Sequence, residues 1–132
     1  MIIDSSAIVA IVKSEPQAPR CVEALERAPI VSISAANFLE ASIVIDSLGA
    51  TLTAMTFEIV MTRYGITIEP VTETQAKMAR LAHRQFGKGR HHPAKLNFGD
   101  CFAYALARDK NEPLLFVGDD FSHTDIRSAL DP

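Results

Sequence analysis

The stretch MIIDSSAIVAI, residues 1–11, is an apolar run that stops at an aspartate, followed by two serines and a second apolar run. Met1–Ile3 reads as a short buried strand with Asp4 at its carboxyl end. Ser5 or Ser6 caps the helix expected through about Lys13. A strand that is apolar throughout, rather than alternating, is buried on both faces, which is the habit of parallel sheets.

The same pattern recurs along the chain. Ile30–Ile33 reads as a second buried strand, and Ser34 caps a helix from Ala35 to about Leu48 that closes at Gly49. Leu114–Val117 is another buried strand, ending at Gly118–Asp119–Asp120. Pro16 and Pro19 mark a break and a helix start running to about Arg27, and Thr51–Arg63 is a further helix. Ile66–Val71 alternates and is β-branched, so it is expected as a strand. Thr72 and Gln75 have capping-box spacing and open a helix to about Phe86. Gly87–Phe98 reads as a loop and Gly99–Lys110 as a helix. Strands alternating with helices predict an α/β fold with a parallel sheet covered on both faces. With no repeat and no linker, residues 1–132 are expected to form one domain.

Composition agrees: 48% of the 132 residues are hydrophobic, normal for a folded core. No apolar run reaches the ~18 residues that cross a membrane. The amino-terminal run lacks a basic leader and contains Asp4, so it reads as mature structure and the chain is expected in the cytoplasm. Cys21 and Cys101 lack metal-ligand spacing and read as reduced core thiols.

The net charge of −3 does not suggest a nucleic-acid binder, but its distribution does. No acid occurs between Thr74 and Gly99. That window holds Lys77, Arg80, Arg84, Lys88, Arg90 and Lys95, which are 6 of the 13 basic residues. On a helix, Lys77, Arg80, Arg84 and Lys88 share one face, with Met78, Ala79, Ala82 and Phe86 on the other. The functional reading is a phosphate-tracking rail that continues through Arg90, His91, His92 and Lys95; the alternative is a solvated helix face.

Several acids stand alone in apolar surroundings. Asp4 is the only charged side chain before Lys13. Glu40 is alone from Pro29 to Ile45, and Asp100 from Leu96 to Ala107. Asp119 and Asp120 end an uncharged run that begins at Pro113. A buried, unpaired carboxylate is costly and prefers to protonate. No Lys or Arg neighbours these acids in sequence, so the economical solution is a shared cation. Carboxylate oxygens suit Mg²⁺ or Mn²⁺. Asp4 and Asp119/Asp120 fall at the carboxyl ends of strands, where open α/β sheets gather ligands. Taken singly, Asp4 and Asp100 also read as helix caps, Asp119/Asp120 as a turn, and Glu40 as one half of a distant ion pair.

Four stretches, MIIDSSAIVAI, SAANFLEASIV, HPAKLNFGDCFAYALA and PLLFVGDDFSHTDI, resemble VapC-type PIN domains in order and spacing, from Met1 to about Ile126. The resemblance implies a three-layer α/β/α fold around a mostly parallel sheet of about five strands. It implies a metal-dependent ribonuclease, the toxin of a bacterial toxin–antitoxin pair, with Asp4, Glu40, Asp100 and one aspartate of GDDF as its acidic site. Ser6 matches a serine two residues after the first aspartate, and Asn37 a polar residue one turn before the glutamate. The motif favours Asp120 as the fourth acid; more distant PIN domains favour Asp119. The resemblance further implies a homodimer and a small VapB-type antitoxin whose tail enters the acidic groove.

The expected chemistry is hydrolysis of an RNA phosphodiester with one or two Mg²⁺ ions held by Asp4, Glu40, Asp100 and Asp119/Asp120. A phosphatase with Asp4 as nucleophile would want a second acid two residues on, where Ser6 stands. A non-catalytic PIN-fold module for binding RNA or protein would not need the complete acidic set. A phosphoacceptor receiver domain would want an acidic pair beside the first strand.

Overall fold

A computed structural model describes residues 1–131. The chain runs β1 (Ile2–Ile3), α1 (Ser5–Val12), α2 (Ala18–Arg27), β2 (Ser32–Ser34), α3 (Ala35–Ser47), α4 (Thr51–Arg63), β3 (Thr67–Glu69), α5 (Glu73–Phe86), α6 (Phe98–Lys110) and β4 (Leu114–Leu115). The strands pair in parallel in the order β3-β2-β1-β4.

Successive strand residues point to opposite faces, and this splits the core in two. Ile2 and Leu114 face Phe86, Leu96, Tyr104 and Leu106 of the α5–α6 layer. Ile3, Ile33 and Leu115 face Ile8, Leu25, Ile45 and Phe57 on the side of α1, α2, α3 and α4. Three layers follow, as the alternation of elements predicts. Cys21 and Cys101 are buried free thiols. Burial raises both; Cys101, with the Asp100 charge adding to the effect, reaches about 11. No helix among the described residues is long and apolar enough to cross a membrane.

The sheet differs from the expected size. It has four strands rather than about five. The missing strand survives as a single parallel bridge between Leu114 and Ser128. There Leu114 N donates to Arg127 O and Ala129 N to Leu114 O, each at 2.9 Å. One bridge covers the β4 edge without forming a ladder.

Local details differ too. Asp4, not Ser5 or Ser6, caps α1. Ser34 occupies the N-cap of α3 without a side-chain bond. Thr72 accepts from Gln75 N at 3.1 Å, but Gln75 does not reach back: its Nε2 donates to Asp109 Oδ2 at 2.9 Å, tying α5 to α6. Only half of the capping box forms, because burial of Gln75 offers its amide a tertiary partner.

The strand order reverses between β1 and β4: β2 and β3 extend the sheet to one side of β1, and β4 lies on the other. The crevice above that reversal, at the carboxyl ends, is where such folds bind ligands.

Candidate active site

Asp4 emerges from β1 into this crevice. Its backbone N donates to Leu115 O at 2.9 Å, fixing the residue between β1 and β4. Its Oδ2 accepts from Ser6 N at 3.0 Å and Ser6 Oγ at 2.5 Å. Ser6 Oγ in turn accepts from Val117 N at 3.1 Å, so Ser6 links the ends of β1 and β4. The other oxygen, Asp4 Oδ1, is buried and has no hydrogen-bond partner among the described residues. Burial pushes the carboxyl up to about 6 against the opposing bonds from Ser6, and the Glu40 charge adds to the rise.

Glu40 reaches the crevice from α3, where its Oε1 accepts from Ser5 Oγ. One turn earlier, Asn37 is fully buried, and its Nδ2 donates to Gly99 O at 2.9 Å, pinning α3 to the first turn of α6. Asn37 Oδ1 and Ser34 Oγ are also buried without partners among the described residues. A Cβ at Gly99 would collide with the Glu40 carboxylate. Only glycine leaves room for that side chain.

Asp100 is the third residue of α6 and forms a reciprocal capping box with Asn97. Its Oδ2 accepts from Asn97 N, and its N donates to Asn97 Oδ1, both at 2.9 Å. Burial is the main cause that lifts its carboxyl to about 7; the Asn97 bond opposes this, while the charges of Asp4, Asp120 and Glu40 reinforce it. Asp120, exposed after β4, is the member of the terminal pair whose charge contributes to that rise. Asp119 is also exposed, and its carbonyl accepts from Ser122 N at 3.0 Å in the closing turn.

Asp4, Glu40, Asp100 and Asp120, from the end of β1, from α3, from α6 and from the segment after β4, thus lie near enough for their charges to act on one another. As they stand, no three His, Cys, Asp or Glu side chains among the described residues form a group that would hold an ion. Their fit to a divalent cation rests on the donor set, which is all carboxylate, and on the orphaned buried oxygen of Asp4. The cap reading of Asp4 holds as well, while at α6 the cap is Asn97 and Asp100 is its capping-box partner. Asp4 and Asp100 each commit one oxygen to a helix N-terminus, which orients the carboxylate.

Three contributors lay outside the sequence expectation. Asn97 sits three residues before Asp100, a legible capping spacing that was hidden by starting the helix at Gly99. Ser5 was read only as a cap, and its contact with Glu40 spans 35 positions. Gly99 carries no sequence signal for its role.

The basic segment forms an open surface. Arg84 is exposed on α5, and Lys88, Arg90, His91 and Lys95 are exposed in the following loop. Two bonds close the loop's neck, Lys88 N to Leu96 O at 2.8 Å and Leu96 N to Phe86 O at 2.9 Å. Lys77 pairs with Glu73. Arg80, Arg84, Lys88, Arg90 and Lys95 have no carboxylate partner among the described residues. His92 turns inward: Nδ1 accepts from Ala94 N at 3.1 Å, and the ring meets Phe86 edge-on, 5.0 Å between centroids. Tyr104 is core, its hydroxyl donating to Asp125 Oδ1 at 2.7 Å, and His123 is exposed.

Comparison with known proteins gives this geometry a family. The PIN domain model matches residues 1–127. The chain is 47% identical over 131 residues to Ribonuclease VapC28 of Mycobacterium tuberculosis, covering 99% of this chain and 98% of that protein. It is 46% identical over 129 residues to Ribonuclease VapC42 of the same species, covering 98% of each. Among solved structures, the fold resembles Mycobacterium tuberculosis VapC20, described as a sarcin-ricin loop cleaving toxin. The TM-score is 0.72 and the identity 17%, covering 96% of this chain and 98% of that one. A toxin-antitoxin complex from Klebsiella pneumoniae aligns with a TM-score of 0.69 and 16% identity, covering 94% of this chain and 92% of that one. The chain belongs to the PIN-domain family and, within it, to the VapC ribonucleases.

Proposed function

We propose that this chain is a Mg²⁺- or Mn²⁺-dependent endoribonuclease whose metal ligands are Asp4, Glu40, Asp100 and Asp120, and that it is the toxin of a toxin–antitoxin pair. The observation that supports the reading is the buried, unpartnered oxygen of Asp4, with Glu40, Asp100 and Asp120 close enough to act on it or on one another by charge and no basic group paired to them among the described residues. When bound, the ion would polarise the scissile phosphate and lower the pKa of a coordinated water. Ser6 and Asn97 hold the Asp4 and Asp100 carboxylates in place, and Ser5 holds Glu40. Asn37 keeps the α3 and α6 contributions in register. Asp119 closes the turn that presents Asp120. Arg84, Lys88, Arg90, His91 and Lys95 attract the RNA backbone, while His92 braces their loop.

The acidic crevice also suits inhibition by a partner. An arginine from an antitoxin tail would pair bidentately with two of the acids and compete with the cation. Leu39, Ile43, Val44, Leu52, Met55 and Ile59 leave an exposed apolar surface on α3 and α4. Such a surface suits both the rest of the antitoxin and a second copy of the chain in a homodimer.

The test incubates purified chain with RNA in Mg²⁺ or excess EDTA, alongside Asp4→Asn. Cleavage should require the metal and vanish in the variant. Full cleavage in EDTA, or by Asp4→Asn, would overturn the reading.

A further inference from the structure

Phe98 is the first residue of α6 and, at 80% exposure, the most exposed large hydrophobic side chain of the described residues. Its aromatic neighbour is Phe102, met edge-on with 4.9 Å between centroids and 84° between planes. The helix does not need this ring, because Asn97 and Asp100 already cap it.

Its surroundings differ on its two sides. On one side a concavity of about 260 Å³ is lined mostly by apolar side chains such as Leu39, Ile43 and Phe102, with Glu40 and Gly99 at its border. On the other, a cleft of about 440 Å³ opens between α5 and α6. Small residues, Ala76 and Ala79, make room for it; Arg80 and His83 supply its polar wall. Arg80 has no carboxylate partner among the described residues. No Asp or Glu occurs in sequence from Gln75 to Phe98. The ring thus stands between a largely apolar concavity that Glu40 borders and a cleft whose polar wall carries Arg80.

We propose that Phe98 and this α5–α6 cleft form a nucleobase subsite, in which an unpaired base of the RNA stacks on the Phe98 ring and Arg80 holds the adjoining phosphate. The inference rests on the ribonuclease reading above and adds to it where the strand runs once its scissile phosphate lies at the acids. Aromatic faces bind bases of any sequence, and a neighbouring guanidinium tracks the backbone between them. Phe98 and Arg80 line the same cleft, so an aromatic face and a guanidinium are both open to one strand entering it. A paired base has no open face to offer, so the subsite selects single-stranded RNA.

The chain has no tryptophan, so Phe98→Trp installs a single reporter. In a Glu40→Gln background, which leaves the RNA intact, a single-stranded oligoribonucleotide is followed by its own anisotropy and by Trp fluorescence. Both signals should saturate together, and an abasic oligonucleotide of equal length should bind without quenching. Without the reporter, Phe98→Ala and Phe98→Leu should each weaken binding roughly 10–100-fold, and Phe98→Tyr less than about 3-fold. The salt slope should hold in Phe98→Ala and shrink in Arg80→Ala, where fewer counterions are released. Binding by anisotropy without quenching, or undiminished affinity in Phe98→Leu, overturns the subsite and leaves the ribonuclease reading standing. Emission that shifts with protein concentration and ignores RNA assigns the ring to contact between copies and likewise overturns it. No anisotropy change at any Mg²⁺ concentration overturns both.

Discussion

At Gly99 a single missing carbon decides where a site acid lies. A Cβ there would strike the Glu40 carboxylate, the free end of a flexible side chain. The side chain can swing away, so folding should tolerate the change; alanine also favours a helix over glycine by ~1 kcal/mol. Gly99→Ala is therefore expected to keep or slightly raise its melting temperature while losing at least ~10-fold in kcat/KM, since displaced ligands cost roughly that much or more. Melting curves and cleavage rates on the same preparation check it; unchanged kcat/KM would show that Glu40 is not needed where it lies.

The pH dependence follows from Asp4 and Asp100, raised to about 6 and about 7 chiefly by burial. A carboxyl whose folded pKa exceeds its unfolded value binds more protons in the folded state. Its contribution to stability is complete below the unfolded value of 3.8 and is lost as pH rises through the folded value. Metal-free protein should therefore lose stability from about pH 4 to about pH 8 relative to Asp4→Asn/Asp100→Asn, which lacks both titrations. Mg²⁺ should restore the wild type at the alkaline end and leave the double variant unchanged. Parallel denaturation curves for the two proteins across this range would contradict the assignment.

At the scale of elements, the loop from Gly87 to Asn97 joins the basic face of α5 to the acid of α6. Its neck is fixed by the Lys88–Leu96 and Leu96–Phe86 bonds, so charge can change at its rim without loss of the fold. Lys88→Glu, Arg90→Glu and Lys95→Glu together should weaken RNA binding and reduce the slope of log affinity against log salt by about 0.7 for each lost phosphate contact on a single strand. An unchanged slope would place the rail elsewhere.

The elements themselves were largely legible, because strands buried on both faces and helices with caps leave periodic marks. The acids were legible for a related reason: a charge alone in an apolar run has to answer to something distant. What stayed hidden depends on tertiary partners. Gln75 looked like a capping-box residue until Asp109 claimed its amide. The Ser5–Glu40 and Asn37–Gly99 bonds join positions far apart in the chain. The fifth strand shrank to the Ser128 bridge, whose short polar surroundings gave no strand signal.

For the whole molecule, topology puts the chemistry in one place. The reversal between β1 and β4 puts Asp4 and the Asp119–Asp120 turn at the carboxyl ends of neighbouring strands, while the bond from Asn37 to Gly99 ties α3, which carries Glu40, to the first turn of α6, which carries Asp100. Charge is segregated around that place, with acids within and unpaired cations on α5 and its loop. The metal-free site repels phosphate, and a divalent ion would reverse that local field. On the proposed reading, activity depends on an exchange of protons for metal at these acids. Its most direct measurement is calorimetric titration of Mn²⁺ into wild type and Asp100→Asn at pH 6 and pH 8, in buffers of different ionisation heat. The predicted result is wild-type binding that tightens at pH 8, releases protons at pH 6 and weakens at least ~10-fold in Asp100→Asn. Equal affinity in both proteins, or binding without proton release at pH 6, would contradict it.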